Sequence, residues 1–515
     1  MNGAESLVRT LVNGGVDTCF ANPGTSEMHF VSALDRVEGM RCVLGLFEGV
    51  VTGAADGYWR IKGTPAATLL HVGSGLANGL ANLHNARKAR SAIVNVVGNH
   101  ATYHQQYDTP LSADVEAVAR PMSDWVRSST SSRSVAADGA AALEKAREAP
   151  GNIATLILPA NTAWEEADGA VVPAAVAPRR QVSQEDVKAA AAALRTGANA
   201  TLYLGGVAVR EKALEWAGRI AAKTGCRLAA EYQNPLLQRG AGRVQVERAP
   251  YGVDAGVAMF AQTRQLVLAG AKIPVAFFAY PGKPSVLVPE SCHVSKLGTA
   301  ADDLEAALRA VAEELDAINL APAHVARLAP PAPATGAVTL DAIAQTVGAL
   351  IPENAIVIDE AVSTGRGFAT MTSESKPHDW ICSMGGSIGY GLPHAIGTAI
   401  AAPDRKTVLL QADGSAMYTP QALWTMAREG LNILIVLFNN KGYKVLINEL
   451  ANVGGGKPGG NALNMLTVDG PGLDWLQIAR GQGVEAGRAT DMDAFAREIR
   501  RGLAVKGPYL VELVI

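Results

Sequence analysis

One acidic residue and two asparagines follow two apolar runs in the last third of the sequence. The first run, Thr407 to Leu410, precedes Asp413-Gly414-Ser415, and the second, Ile433 to Phe438, ends on Asn439-Asn440. A carboxylate, an amide oxygen and a backbone carbonyl suit Mg²⁺, which keeps coordination sites for phosphate oxygens. These residues predict a site for a magnesium-bound phosphate. The alternative is an ordinary strand-to-helix turn capped by Asp413.

The residues between the two apolar runs predict how Asp413 and the asparagines are placed relative to each other. Leu423, Met426 and Ala427 have helical spacing, so the stretch reads as strand, turn, helix and strand. Such a βαβ unit places its parallel strands with their carboxyl ends at one edge of the sheet. Asp413 and Asn440 should then face each other across the crevice where open α/β sheets bind ligands. The helix that begins near Ser415 would turn its free N–H groups toward a phosphate.

A second acidic residue, Glu48, lies at a predicted transition from strand to helix in the stretch LGLFEGVVTGAADGYWR. Its neighbours on both sides are apolar, so its carboxyl group is predicted to be buried. A buried acid can exchange a proton with a ligand. The alternative is a glutamate that complements the dipole at the first turn of a helix.

Composition describes an ordinary globular chain and excludes several classes of function. Of 515 residues, 48% are hydrophobic and 18% charged, and the formal net charge is −3. This balance gives no basic field for nucleic acid or an anionic membrane, and we find no apolar stretch long enough to span a bilayer. No signal peptide is recognisable, and the five cysteines are scattered. We therefore expect reduced thiols and a cytoplasmic location.

Alternating helix and strand patterns divide the chain into three segments. We predict three doubly wound parallel-sheet α/β domains, at residues 1–170, 181–325 and 337–515, with proline-rich linkers around 173–180 and 321–336. In the middle domain, strands are predicted at 200–204, 265–269 and Val275–Tyr280. Gly205-Gly206 follows the first of these, but the full GxGxxG spacing of a nucleotide loop is missing, so a structural turn is the favoured interpretation.

The motifs resemble those of the thiamine diphosphate (ThDP) enzymes over nearly the whole chain. The family signature is Gly-Asp-Gly, a helix and a strand, then Asn-Asn, and here Ala412 stands in place of the first glycine. If that position requires positive φ, alanine costs about 1 kcal/mol. The resemblance implies that Asp413, Asn440 and the backbone of Gly442 hold Mg²⁺. It also implies that the three domains are pyrimidine-binding, middle and diphosphate-binding domains.

Further positions carry the resemblance to the cofactor itself. Glu48 stands where the family glutamate hydrogen-bonds N1′ of the aminopyrimidine. In the stretch SMGGSIGYGLP, Ile388 matches the aliphatic wedge between the cofactor rings, and the Gly386 carbonyl would accept from the 4′-amino group. Ser363 would hold the diphosphate. The other positions that the resemblance assigns to cofactor binding are Asn22, Pro23, Asn78, Gly414, Ser415 and Tyr443.

The resemblance is closest to benzoylformate decarboxylase and to the acetolactate synthase catalytic subunit. Thr25 matches a substrate-contacting serine of the decarboxylase, and His71, which begins HVGSGLAN, matches an active-site histidine that typical acetolactate synthases lack. His71 would act as an acid–base group, or else it is a structural histidine at a strand end. His100 and His104 are further candidates, with a solvated loop as the alternative.

Two departures from the family pattern and one loop complete the sequence evidence. The second decarboxylase histidine, expected within 276–282, is absent, and so is the Gly-Met-His-Gly type of loop associated with flavin, so FAD is not expected. After Asn440, we expect Val445, Leu446 and Glu449 to face the pocket. The glycines that follow read as a mobile lid.

The resemblance implies a ThDP- and Mg²⁺-dependent enzyme that acts on a 2-oxo acid. The ketone would add to the C2 carbanion of the cofactor and lose CO₂, which leaves an enamine. We favour a decarboxylase, since His71 offers the enamine a proton. An acetolactate synthase-type carboligase is the alternative, and a ThDP-binding scaffold without catalysis is a third hypothesis. Family members place the cofactor between two chains, which implies a homodimer or homotetramer.

Overall fold

The computed structural model describes all residues from Met1 to Ile515, and its strands form three separate, mainly parallel sheets. The first sheet has six parallel strands: β1 (Thr18–Asn22), β2 (Arg41–Leu44), β3 (Ala66–Leu70), β4 (Ile93–Asn99), β5 (Trp125–Ser128) and β6 (Ile153–Pro159). Their order is β2-β1-β3-β4-β6-β5. Seven helices accompany it: α1 (Gly3–Asn13), α2 (Met28–Arg36), α3 (Glu48–Lys62), α4 (Val72–Ala89), α5 (Val115–Ala119), α6 (Val135–Arg147) and α7 (Ala160–Trp164).

The second sheet is formed by the middle of the chain. Its five parallel strands have the order β10-β8-β7-β11-β12. The strands of this region are β7 (Ala200–Leu204), β8 (Arg227–Ala230), β9 (Leu237–Arg239), β10 (Glu247–Arg248), β11 (Gln265–Ala269) and β12 (His293–Gly298), of which β9 joins the third sheet. The helices are α8 (Gln184–Leu194), α9 (Glu211–Thr224), α10 (Val253–Phe260) and α11 (Leu304–Glu314).

The third sheet has the order β17-β18-β16-β15-β13-β14-β9, and only β9 is antiparallel to its neighbour. Its other strands are β13 (Ile356–Glu360), β14 (His378–Cys382), β15 (Thr407–Ala412), β16 (Ile433–Asn439), β17 (Glu485–Ala489) and β18 (Tyr509–Val514). The helices are α12 (Leu340–Leu350), α13 (Phe368–Met371), α14 (Gly391–Ala401), α15 (Asp413–Ala416), α16 (Ala422–Arg428), α17 (Lys444–Asn452), α18 (Gly460–Leu466), α19 (Trp475–Gly481) and α20 (Met492–Ala504).

The predicted βαβ unit around Asp413 is confirmed. Strand β15 pairs in parallel with β16, from Thr407 opposite Ile433 to Ala412 opposite Phe438. Both strands are buried along their length, as expected for a sheet covered by helices on both faces. Their carboxyl ends therefore lie side by side, next to the end of β13.

Two expectations from the sequence are wrong. Residues 275–280 form no strand, and only a single bridge joins Val275 to Val286. Phe278 is more than half exposed, so this apolar run lies on the surface, and β12 pairs with β11 instead. The helix predicted to begin near Ser415 is broken into α15 and α16. Pro420 lies between them and has no N–H for a continuous helix.

Helices α3 and α14 pack backbone against backbone and join the first region to the third. A Cβ atom on Gly57 would lie 2.5 Å from the carbonyl oxygen of His394. At this contact Asp56 accepts from Arg60 and lies 2.7 Å from Nε2 of His394. Arg60 and His394 hold the pKa of Asp56 well below its usual range, although burial opposes them. The DGYWR motif therefore brings a buried Asp56–Arg60 ion pair into contact with His394 of another region of the chain.

The length and the hydropathy of the helices determine whether any of them could cross a membrane. None of them combines the length and the apolar character needed to cross a bilayer.

Candidate active site

A carboxylate and an imidazole meet at the carboxyl ends of β1 and β3. His71 lies between β3 and α4, and its Nδ1 is 2.9 Å from Oε2 of Glu27. The same oxygen accepts from the backbone N–H of Gly24 at 2.8 Å. The Oγ of Ser26 lies 3.5 Å from the imidazole. The carboxylate therefore fixes the orientation of the ring, and Nε2 makes no hydrogen bond within the chain.

Glu27 is the residue of this pair that we did not predict. It is 2% exposed, and its Oε1 is buried without a hydrogen-bond partner. Gly24 packs so closely on the His71 ring that any side chain there would overlap it, and Gly98 packs equally closely on Glu27. One sequence signal could have identified Glu27. It is a glutamate that closely follows an Asn-Pro-Gly loop, in a chain that also has a candidate histidine.

Glu48 lies beside this pair, as the first residue of α3. Glu48 is 6% exposed, and its carboxyl group accepts from Nδ2 of Asn78 at 2.9 Å. Gly75 separates Glu48 from His71, because a Cβ atom on this glycine would lie 2.6 Å from Oε1 of Glu48 and 3.2 Å from Cβ of His71. Two carboxylates and one imidazole thus lie close together at the edge of the first sheet.

Asp413 and the asparagines form a second group at the edge of the third sheet. Asp413 is 1% exposed, and its Oδ2 accepts from the N–H of Lys441 at 2.9 Å. Its Oδ1 is buried and has no hydrogen-bond partner. Burial raises the pKa of Asp413. Asn440 accepts from the N–H of Gly442 at 3.1 Å, so its side chain and the next turn are fixed together.

Unusual backbone conformations occur directly next to three predicted positions. Val72, Val362 and Lys441 have φ values of 41°, 51° and 56°, and none of them is glycine. They directly follow or precede His71, Ser363 and Asn440, respectively. Positive φ is costly for β-branched residues, and such outliers concentrate at ligand sites. Ala412, by contrast, has a φ of −83°, so the alanine in the family signature carries no strain.

The glycine-rich segment before α14 presents one apolar side chain outside the core. Ile388 is half-buried, and it belongs to none of the hydrophobic clusters. Gly386 has a φ of 77°, and a Cβ atom there would lie 2.9 Å from the ring of Phe277. Ile388 therefore lies outside the hydrophobic cores of the chain.

Glu360 holds this segment in place, and the sequence did not single it out. Its carboxylate accepts from the N–H groups of Gly389 at 2.6 Å and Gly391 at 2.7 Å, and from Gln411 at 3.0 Å. Burial, against these hydrogen bonds, raises the pKa of Glu360 to about 7. Because the contacts fix the start of α14, Glu360 also fixes the backbone that carries Ile388.

The remaining predicted residues differ in their surroundings. The Ser363 hydroxyl makes no hydrogen bond within the chain, whereas that of Ser415 donates to the Ala412 carbonyl and accepts from Gln411. The Ser415 hydroxyl is therefore already engaged. Tyr443 packs its ring against Gly414. Asn22 ends β1 and Pro23 follows it.

Thr25 and His100 do not join the His71 pair. Thr25 is exposed, and no hydrogen bond connects it with His71. His100 lies 3.2 Å from the Thr109 hydroxyl through Nε2, and its ring lies 5.8 Å from that of His104. These histidines form a loop cluster of their own.

Helix α17 follows β16 along the chain and is hydrogen-bonded to the middle region. Glu449 accepts from the hydroxyls of Tyr251 at 3.2 Å and Tyr280 at 2.9 Å. No residue of α17 is fully buried, and Leu446 is 45% exposed. That Glu449 faces the pocket stays a prediction; its carboxylate is paired with two tyrosines.

The residues fit the cofactor and metal that the resemblance implies. No group of three or more His, Cys, Asp or Glu side chains could hold a metal, so a cation at Asp413 would need anionic oxygens from a ligand. The orphaned Oδ1 of Asp413 is suited to such a cation, and Glu48 offers a buried carboxyl group to a ring nitrogen.

The two groups remain apart within one chain. No hydrogen bond or ion pair connects Glu27, Glu48 or His71 with Asp413 or Asn440. The first group belongs to the first sheet and the second to the third sheet. The two groups therefore lie in different regions of the chain.

Comparison with known proteins agrees with this division. Residues 1–119 match the model of the N-terminal TPP binding domain of thiamine pyrophosphate enzymes, and residues 363–513 match that of the C-terminal TPP binding domain. The chain is 49% identical, over 100% of its length and 99% of the relative, to a Mycobacterium tuberculosis protein provisionally named acetolactate synthase large subunit IlvX.

Two decarboxylases are also similar along the whole chain. Benzoylformate decarboxylase of Pseudomonas aeruginosa is 28% identical over 97% of this chain and 96% of that protein. The structure of a thiamine diphosphate-dependent 4-hydroxybenzoylformate decarboxylase of Rhodococcus jostii superposes with a TM-score of 0.86 at 23% identity, covering 99% of this chain and 98% of that one. The similarity to the Rhodococcus jostii structure, at 23% identity, shows a shared fold and no more.

Proposed function

The chain belongs to the thiamine diphosphate-dependent enzymes, and from this premise we propose that it is a 2-oxo acid decarboxylase that uses ThDP with Mg²⁺. The observation that carries the proposal is the His71–Glu27 pair beside Glu48. An oriented imidazole offers a proton where decarboxylation needs one. A benzoylformate decarboxylase among the relatives supports the same activity.

The second group of residues would bind the cofactor. Asp413 and Asn440, with the Gly442 carbonyl, would hold Mg²⁺, and Ser363 has a free hydroxyl for the diphosphate. Ile388 would support the ring system from its position outside the core. When bound, ThDP supplies a nucleophilic carbon and a sink for the electrons left by CO₂.

Glu48 would exchange a proton with the aminopyrimidine ring. Its carboxyl group is buried, and Asn78 holds one of its two oxygens, so the other remains for the ring nitrogen. Burial also keeps water from competing for the carboxyl group. Glu48 would thereby set the protonation state of the cofactor without itself touching the substrate.

His71 would deliver a proton to the reacting carbon after CO₂ has left. The Glu27 carboxylate would orient the ring through Nδ1. Nε2 is then the nitrogen that can donate. This step ends the cycle at an aldehyde and distinguishes the chain from an enzyme that holds the carbon for a second carbonyl.

A carboligase of the acetolactate synthase type is the second candidate. The relative that shares 49% identity over the whole chain carries an acetolactate synthase name, and this observation favours it. In that case His71 would serve in binding, and the reacting carbon would attack a second 2-oxo acid.

We further propose that the active unit is a homodimer or homotetramer. Glu48 and Asp413 make no contact within one chain, and a second copy could bring the two groups together. Sedimentation with and without ThDP and Mg²⁺ tests this, and an active monomer would contradict it.

Product analysis with a panel of aliphatic and aromatic 2-oxo acids tests the activity. With ThDP and Mg²⁺ present, at least one acid should yield CO₂ and the corresponding aldehyde. Glu48→Gln should abolish the turnover. The control is Glu38→Gln, which changes an exposed glutamate of the same region and should leave the turnover unchanged. Acetohydroxy acids as the main product would select the carboligase, and no turnover of any acid would contradict both.

A further inference from the structure

Glu449 on α17 is a half-buried carboxylate without a positive partner. Its Oε1 accepts from the Tyr251 hydroxyl at 3.2 Å, and its Oε2 accepts from the Tyr280 hydroxyl at 2.9 Å. Glu449 forms no ion pair within the chain, and Lys283, three residues after Tyr280, pairs with Asp254 instead. The negative charge of Glu449 is therefore stabilised by neutral hydroxyl groups and not by a cation.

A series of aromatic rings adjoins this carboxylate. The ring of Phe277 lies 5.3 Å from that of Tyr251 and 4.8 Å from that of Phe278. Both phenylalanines are exposed, although such large apolar side chains are mostly buried in folded proteins. The face of an aromatic ring attracts a cation. A carboxylate beside open aromatic rings therefore suits a positively charged ligand group.

The other end of the same aromatic series already holds a cation of the chain. The ring of Tyr232 lies 5.7 Å from that of Tyr251, and the guanidinium group of Arg248 lies 5.4 Å from the centre of the Tyr232 ring. No arginine or lysine of the chain lies over the rings of Tyr251, Phe277 or Phe278 in this way. The faces of these three rings thus remain available to a ligand.

This group of residues lies next to two segments that we assign to the cofactor. A Cβ atom on Gly386 would lie 2.9 Å from the ring of Phe277, and Gly386 is two residues before Ile388. Helix α17 begins two residues after Gly442, and Glu449 follows roughly 7.5 Å further along the helix. The side chain of a substrate bound at the cofactor would therefore be within reach of Glu449.

We propose that Glu449 and the aromatic rings beside it select a 2-oxo acid whose side chain ends in a positive charge. This assignment rests on the proposed function and names its substrate class. The charged end would lie near Oε2 of Glu449 and against the faces of Tyr251 and Phe277, with the 2-oxo acid group at the cofactor. A neutral side chain of the same shape gains neither contact, so Glu449 would determine specificity.

Turnover of two acids of the same shape, with ThDP and Mg²⁺ present, tests this assignment. The probes are 5-(trimethylammonio)-2-oxopentanoate, which is cationic in its side chain, and 6,6-dimethyl-2-oxoheptanoate, in which carbon replaces the nitrogen. The ratio of the two kcat/KM values should favour the cationic acid by about tenfold or more. This ratio compares two substrates in one protein, so a general loss of folding or of cofactor binding does not change it.

Variants show whether Glu449 and the rings cause the preference. Glu449→Gln removes the charge and keeps the shape, and it should lower the ratio by about tenfold. Phe277→Leu removes one ring face and should lower the ratio by about threefold. Phe277 is exposed, so its variant should fold even if Glu449→Gln does not. The control is Glu353→Gln, which makes the same change of charge at an exposed position before β13 and should keep the ratio of the wild type.

The outcomes separate this assignment from the proposed function. Turnover of the neutral acid at least as fast as that of the cationic acid would retain the decarboxylase and overturn the role of Glu449. An unchanged ratio in Glu449→Gln would overturn it as well. If neither acid is turned over, calorimetry on the protein loaded with ThDP and Mg²⁺ decides. The cationic acid should then bind about tenfold more tightly than the neutral one, and equal binding would overturn the assignment.

Discussion

Nδ1 of His71 lies 2.9 Å from Oε2 of Glu27, and the other oxygen of that carboxylate is buried without a partner. A glycine packs against each member of the pair, Gly24 on the ring and Gly98 on the carboxylate. A side chain at either glycine would disrupt the contact. Both positions are glycine, which leaves room for the acid and the imidazole to meet at the edge of the first sheet.

If the pair acts as one unit, its members should not contribute independently to catalysis. His71→Ala should slow aldehyde release by roughly 10²–10⁴-fold, and Glu27→Gln by a smaller factor, because the ring loses its orientation. The double variant should be no slower than His71→Ala alone, as for groups that act together. Steady-state kcat, with ThDP affinity as the control for folding, measures this. Effects that multiply in the double variant would make Glu27 structural.

Glu48→Gln should bind ThDP with near-normal affinity and lose most of the exchange of the cofactor C2 proton. The amide keeps the shape of the side chain but cannot give a proton to the ring nitrogen. Hydrogen–deuterium exchange followed by NMR on the loaded protein measures the rate. Exchange at the wild-type rate in this variant would remove Glu48 from the proposed role.

Asp413→Asn should abolish the dependence of ThDP affinity on Mg²⁺. The substitution preserves the size of the side chain and removes the single carboxylate, so the metal would keep only neutral ligands from the protein. Titration calorimetry at several Mg²⁺ concentrations provides the measurement. Asp404→Asn, on the surface before β15, is the matched control. Metal-dependent affinity that survives in Asp413→Asn places the cation elsewhere.

Glu360 should make stability depend on pH. Burial raises the pKa of Glu360 to about 7 in the folded chain, whereas an unfolded glutamate titrates near ~4.3. The folded state therefore binds the proton more tightly, and this stabilisation is complete below about pH 4 and lost as the pH rises through about 7. The effect on the free energy of unfolding is at most about 4 kcal/mol, since each pKa unit corresponds to about 1.4 kcal/mol.

Denaturant unfolding of the wild type and Glu360→Gln between pH 5 and 8 measures this effect. The stability advantage of the wild type over the variant should shrink as the pH rises. Parallel pH profiles for the two proteins would show that Glu360 does not titrate in this range.

The sequence predicted the elements whose signals are local. The apolar runs of β15 and β16, with a helical pattern between them, fix the βαβ unit and the neighbourhood of Asp413 and Asn440. The start of α3 at Glu48 follows in the same way. The strand predicted at Val275–Tyr280 was wrong because apolar character alone does not distinguish a buried strand from an exposed aromatic surface.

Local sequence patterns could not predict the contacts between segments that are distant in the chain. Glu27 meets His71 across 44 positions, and Glu360 meets the start of α14 across 29. Both depend on how strands are ordered in a sheet, which periodicity does not reveal. The engagement of the Ser415 hydroxyl and the pairing of Glu449 with two tyrosines were hidden for the same reason.

The central claim is that the chain converts a 2-oxo acid into an aldehyde and CO₂. The most direct test is the molar ratio of free aldehyde to CO₂ during turnover of the best substrate, with ThDP and Mg²⁺ present and no added acceptor. The account predicts a ratio near one in the wild type and a clear fall in His71→Ala, in which the reacting carbon waits for another carbonyl. A wild type that releases CO₂ with almost no free aldehyde, and with hydroxyketone or acetohydroxy acid instead, would contradict it.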